Sequence, residues 1–212
     1  MKKSLQVILT FVIMTSFIPE NNKENIRWSE DKKLMPADFK GIPEKDSTMR
    51  IAALSSVEIS SEYRFTGNHD SLFCNIYAVF YTHESWMRSE FTRDGSVSEE
   101  VLSHEQGHFD ITEIYARIFR KSLCENELKK EKVQEQTESM YNQFFNELET
   151  TQQLYDQETS NVHMRKNKTG IIQLSSDEKA KQQKKWNDKI NKELKELEKY
   201  SNTELKLHVA KQ

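Results

Sequence analysis

Residues 102–123 read LSHEQGHFDITEIYARIFRKSL, and the fold turns on whether this stretch is a helix. Apolar residues Val101, Phe109, Ile111, Ile114, Tyr115, Ile118, Phe119 and Leu123 recur at helical spacing, and no proline interrupts residues 97–164. Ser96 or Ser98 stands where a cap belongs, and Ser96 with Glu99 fits a capping box. On a helix, positions i and i+4 lie above one another. His104 and His108 therefore aim both imidazoles at one ion, while Glu105, offset by one residue, reaches a neighbouring water without ligating. A Zn2+ held this way lowers the pKa of water to about 7, and the glutamate then serves as general base. Gly107 lies between the two histidines. Glycine costs about 1 kcal/mol in a helix interior, so its place here implies that another backbone approaches closely.

Working towards the N-terminus, two strand candidates precede this helix. MRIAALSSVEISSEYRF (49–65) contains alternating stretches, and LFCNIYAVFYT (72–82) is rich in β-branched and aromatic residues. The GNHDS between them is a turn signal, so an antiparallel hairpin is expected. Residues 71–82 are expected to form an edge strand above the metal, to which an extended peptide could add. Residues 21–48 are polar and punctuated by Pro36, Gly41 and Pro43, with Trp28, Leu34 and Phe39 as isolated apolar anchors.

Towards the C-terminus, a second helix is expected over about 126–159, with Met140, Phe144, Leu148, Thr151 and Tyr155 on one face. A third spans Ser176–Tyr200, with the stripe Trp186, Ile190, Leu194 and Leu197. The remaining tail is polar and expected to fray. The fold class is thus α+β: a small antiparallel sheet packed on a zincin-like active-site helix, followed by long antiparallel helices. Residues 21–212 form one domain with a C-terminal helical extension. With hydrophobic residues at 35% of the chain, one modest core is what the composition supports.

Residues 1–20, MKKSLQVILTFVIMTSFIPE, have a basic start and then an apolar run, the layout of a signal peptide. A secreted or periplasmic protein is expected, touching a membrane only through this segment if it is kept as an uncleaved anchor. The net charge of -3, with basic and acidic residues interleaved, argues against a nucleic-acid partner. Cys74 and Cys124, the only cysteines, could form a disulfide in an exported protein or remain as two thiols.

A catalytic zinc takes three protein ligands and keeps one open position. The short link after Cys124 returns the second helix antiparallel to the first, which brings LYDQETSNVHM (154–164) level with the histidines. Asp156, Glu158 and His163 could each ligate. Glu113 is turned off the ligand face, and His69 and His83 are expected to be exposed.

The chain resembles an uncharacterised family of bacterial secreted proteins regarded as zinc-dependent proteases. The resemblance is carried by W-S-x-D with D-F-x-G-x-P (Trp28 to Pro43), Ser85-Trp86, H-E-x-x-H-F with Ala116-Arg117, Y-D-x-E-T (Tyr155 to Thr159) and Q-x-x-W (Gln183, Trp186). It implies that Tyr155 and Arg117 lie near the site. Asp156 keeps the family pattern and ranks first as third metal ligand, with His163 as the alternative and Glu158 after it. The family usually carries a histidine where this chain has Asn161.

The expected function is a zinc-dependent metallopeptidase acting on a peptide or protein substrate, with Glu105 catalytic and His104, His108 and Asp156 holding Zn2+. Tyr155 is either an oxyanion donor or a core tyrosine, and Trp86 and Trp186 pack. Two alternatives are a non-catalytic cell-envelope scaffold that uses the Trp186–Leu197 stripe, and a peptidase decayed at Asn161.

Overall fold

The computed structural model describes residues 24–43, 51–66, 70–91, 95–159, 165–167, 170–172 and 175–210. The signal-like segment 1–20, His69 and His163 lie outside the described residues. The fold is α+β, an antiparallel-dominated sheet against three helices.

Strand order follows from one long central strand. β1 (Ile26–Arg27), β2 (Ala53–Leu54), β3 (Val57–Phe65), β4 (Ser71–Phe80) and β5 (Trp86–Met87) precede the first helix. β3 pairs antiparallel with the whole of β4, from Val57 opposite Phe80 to Phe65 opposite Leu72. On the other side of β4, β1 pairs at Val79 and Phe80, and the C-terminal strand β9 (Glu204–Ala210) pairs from Ser71 to Asn75. β4 is therefore interior, not the expected edge. The expected tail is not frayed either. ELKLHVA alternates Leu205, Leu207 and Val209, and that period of two lets it bury one side and complete the sheet.

The expected strand over 49–65 is broken into β2 and β3. At the break the Ser56 N–H donates to Ser85 Oγ and its carbonyl accepts from the Tyr81 N–H, so the chain changes partners from β5 to β4.

α1 (Gly95–Glu125) starts at Gly95, which puts Ser96 and Ser98 inside the helix and not at its cap. From Glu105 to Arg120 nearly every side chain is buried or half-buried, as expected of a helix enclosed on all sides. Ile111, Ile114, Phe119 and Leu123 meet the inward side chains of β4: Leu72, Cys74 and Ile76. The segment after β1 closes another side. Phe39 packs edge-on against Phe80, Phe80 against Phe109, and the Trp28 Nε1–H donates to Asp110 Oδ1 at 2.7 Å.

α2 (Val133–Thr159) begins later than expected because β6 (Leu128–Lys129) intervenes, pairing parallel with β9 and burying Leu128. α2 runs antiparallel to α1: Tyr115 bonds Thr151 at one level, and Phe119 meets Phe144 at another. β7 (Arg165–Asn167) and β8 (Gly170–Ile172) form a small hairpin. α3 (Ser176–Glu196) follows, capped by Ser175 in a capping box with Glu178, and ends before a short 3-10 turn at Glu198–Tyr200. Trp86 and Trp186 are buried, as packing residues should be. No helix among the described residues is long and apolar enough to cross a membrane.

Candidate metal centre

α1 and α2 meet where the two histidines face the last turns of α2. His104 Nε2 and His108 Nε2 lie 3.2 Å apart, and each lies 3.1 Å from Asp156 Oδ1. Among the described residues this is the one cluster of three or more potential metal ligands. A tetrahedral zinc with bonds of about 2.0–2.1 Å separates neighbouring ligand atoms by about 3.3 Å. The three atoms therefore fit a single ion.

The hydrogen bonds behind the rings fix which nitrogen faces the cluster. Gln152 donates its amide N–H groups to the His108 carbonyl (2.9 Å) and Thr112 Oγ1 (3.2 Å). Its Oε1 can only accept, so His108 Nδ1–H donates to it at 2.6 Å. Thr159 spends its single proton on the Tyr155 carbonyl at 2.6 Å, so His104 Nδ1–H donates to Thr159 Oγ1 at 3.2 Å. Both Nε2 atoms then carry lone pairs that converge with a carboxylate oxygen. With both rings neutral these three acceptors repel unless a cation lies among them; a proton on Nε2 of a charged imidazole, donated to Asp156, answers the same need. Outer partners that set the tautomer in this way are the usual companions of metal-ligating histidines.

The cluster also favours positive charge by its titration. Burial pulls the His108 imidazole down, but the hydrogen bond to Asp156, the charges of Glu105 and Asp156 and the bond to Gln152 outweigh it and leave the pKa raised. Burial pushes the Asp156 carboxyl up, and hydrogen bonds from His104 and His108, with their charges, hold it instead well below the usual carboxylate range.

Tyr155 packs behind the histidines. Its ring stacks on His104 (4.8 Å, 11°) and meets His108 edge-on (4.9 Å, 81°). It is fully buried, and its hydroxyl donates to the His104 carbonyl. It is thus a core tyrosine, not an oxyanion donor. The close neighbour that Gly107 admits is this ring, not a backbone.

Glu105 is only 4% exposed, lines the same cavity as the histidines and accepts no hydrogen bond among the described residues. That cavity, of about 1210 Å³, is bounded by segment 51–57, the N-terminal half of α1, the C-terminal half of α2 and α3. Its carboxylate oxygens are not among the enclosed polar atoms that lack a partner, so the carboxylate opens to the cavity beside the ligand triad.

Other candidates are committed elsewhere. Glu158 accepts the Trp186 indole N–H at 2.9 Å. Glu113 Oε1 accepts from Arg117 and Arg120, and those arginines reach the Leu194, Tyr200 and Ile76 carbonyls. Arg117 is therefore an anchor between α1 and α3. His83 is exposed. Sequence reading missed Gln152, although its place four residues before Asp156 on one helical face was a usable signal. Both cysteines are free thiols, Cys74 buried and Cys124 exposed.

The family model described as bacterial protein of unknown function (DUF922) matches residues 40–164, a span that holds His104, Glu105, His108 and Asp156. No curated protein and no solved structure matches the chain.

Proposed function

We propose that this chain, which belongs to that bacterial family of unknown function, is a zinc-dependent metallopeptidase with Glu105 as its general base. The observation that carries the proposal is the pairing of the Glu105 carboxylate, without a hydrogen-bond partner among the described residues, with three convergent metal-ligand atoms on one cavity. His104, His108 and Asp156 would hold the ion and leave a position towards the cavity, the ligand count of a catalytic site. When bound, the zinc supplies positive charge that polarises a carbonyl and lowers the pKa of water to about 7. Glu105 takes the proton from the attacking water and passes it to the leaving amine.

The substrate-binding edge moves from β4 to residues 51–57. Every residue of that segment lines the cavity, and among the described residues β2 within it is paired on one side only, with β5. An extended peptide laid along it would gain main-chain hydrogen bonds while its scissile carbonyl faces the triad. The basic start and apolar run of residues 1–20 support a secreted or periplasmic enzyme.

Zinc content and peptide hydrolysis test the proposal together. The purified protein is expected to take up one zinc and to cleave an unstructured protein substrate. Glu105→Gln should keep the zinc and lose activity by about 10²–10⁴-fold. A protein that stays free of metal in zinc-containing buffer, or a Glu105→Gln variant with wild-type activity, would overturn it.

A further inference from the structure

We propose that Gln183, on α3, is a positioning residue for the metal centre, acting through the direction of the hydrogen bonds at the Tyr155 hydroxyl. The inference rests on the metal-binding reading above. It assigns α3 a part in the site, whereas the sequence reading makes that helix an extension.

The argument is one of proton counting. A tyrosine hydroxyl has one proton to give. The His104 carbonyl, 3.0 Å away, can only accept, so the proton is committed there. Gln183 Nε2, 2.7 Å from the same hydroxyl oxygen, must then donate. Its other N–H is occupied by Asn187 Oδ1 at 2.8 Å, which fixes the orientation of the amide. The chain of donors runs from α3 through α2 to the backbone of the ligand-bearing turn of α1.

Tyr155 has no freedom to absorb a change in that chain. One face of its ring lies on His104, the ring stands nearly perpendicular to His108, and Trp186 packs against it at 5.3 Å. The notch left by Gly107 is filled by the same ring. Any displacement of the hydroxyl therefore passes to both imidazoles.

Polarity can be separated from packing. Gln183→Glu keeps the shape but presents only acceptors, so the tyrosine proton turns towards the carboxylate. The phenolic and His104 carbonyl oxygens then face each other as two acceptors. Gln183→Met offers neither donor nor strong acceptor and leaves the proton on the His104 carbonyl. Zinc affinity of the full chain, measured by chelator competition, is expected to fall about 10–100-fold in Gln183→Glu and about threefold or less in Gln183→Met. The visible spectrum of the cobalt-substituted protein should change only in the former.

Tyr155→Phe deletes the hydroxyl without adding charge. It should erase the difference between the two position-183 variants, as a double-mutant cycle on a shared partner requires. Equal losses in Gln183→Glu and Gln183→Met, or a difference that survives in Tyr155→Phe, would overturn the inference while leaving the metal site intact. A wild-type chain that binds neither zinc nor cobalt would instead overturn the metal reading itself, and this inference with it.

Discussion

Tyr155 occupies the space that a side chain at Gly107 would need: a Cβ built there overlaps the phenolic oxygen and comes within 2.6 Å of Cζ. Alanine is favoured over glycine in a helix by about 1 kcal/mol, so a stabilising substitution would be the naive expectation. Overpacking against a fixed ring costs about 1–3 kcal/mol, and more where no rotamer relieves it. Gly107→Ala is therefore expected to lower both the stability of the metal-free protein and its zinc affinity. Urea unfolding and chelator competition check the two separately, and a gain in stability would show that the ring has room.

Ligand identity is open to a paired comparison on α2. Asp156 Oδ1 touches both Nε2 atoms, whereas Glu158 is bound to the Trp186 indole. Asp156→Asn preserves shape but removes the charge that an ion would meet, and should weaken zinc binding by about 100-fold or more. Glu158→Gln keeps an acceptor for Trp186 and should leave the affinity within about twofold. A reversed order would assign the third ligand to the wrong residue.

These two helices also mark how far the sequence could be read. The i, i+4 spacing of His104 and His108 and the run of apolar residues beyond them are local features, so α1 and its ligand face were legible. The approach of Asp156 needed only the inference that a short link makes helices antiparallel, together with the family pattern at Tyr155-Asp156. Long-range pairings were not legible. β9 joins β4 across more than a hundred residues of chain, and no local signal names its partner. Arg120 reads as a surface charge until Ile76, Tyr200 and Glu113 are brought around it. The Gly107 notch was visible as an oddity, but its occupant was not.

The two thiols should differ sharply in reactivity. Burial, with a smaller contribution from the charge of Cys124, pushes the Cys74 thiol up to about 12. Cys124 is exposed. At pH 8 a thiol reagent should label Cys124 alone in the native protein and reach Cys74 only on unfolding, and Cys124→Ser should remove the native-state reaction. The sign of the alkaline effect follows. The unfolded Cys74 thiol ionises near its ordinary value of 9.0, while the folded one keeps its proton up to about 12. The folded state thus binds more protons across that window, and stability falls as pH rises through it. Tyr141, raised by burial from 10.0 to about 12, acts in the same direction. Urea midpoints measured between pH 8 and 11 should decline, and a flat profile would count against a closed core around these groups.

The last strand offers a test of the sheet itself. β9 lies between β4 and β6, with Val209 fully buried and Leu205 and Leu207 packed on the same core. Each such side chain contributes about 1.5–3 kcal/mol when fully buried, against a total stability of about 5–15 kcal/mol for a domain. Ending the chain at Thr203 would remove all three and uncover half of β4, leaving an unpaired apolar edge of the kind that aggregates. The truncated protein is expected to be insoluble or to unfold at a much lower temperature. Val209→Asp should reproduce much of that loss, because it places a charge in the core without a partner. His208→Ala, at an exposed position of the same strand, should stay within about 0.5 kcal/mol of wild type. A soluble, cooperatively folding truncation would mean that β9 is an ornament on the sheet, and that β4 is stable with half of one edge bare.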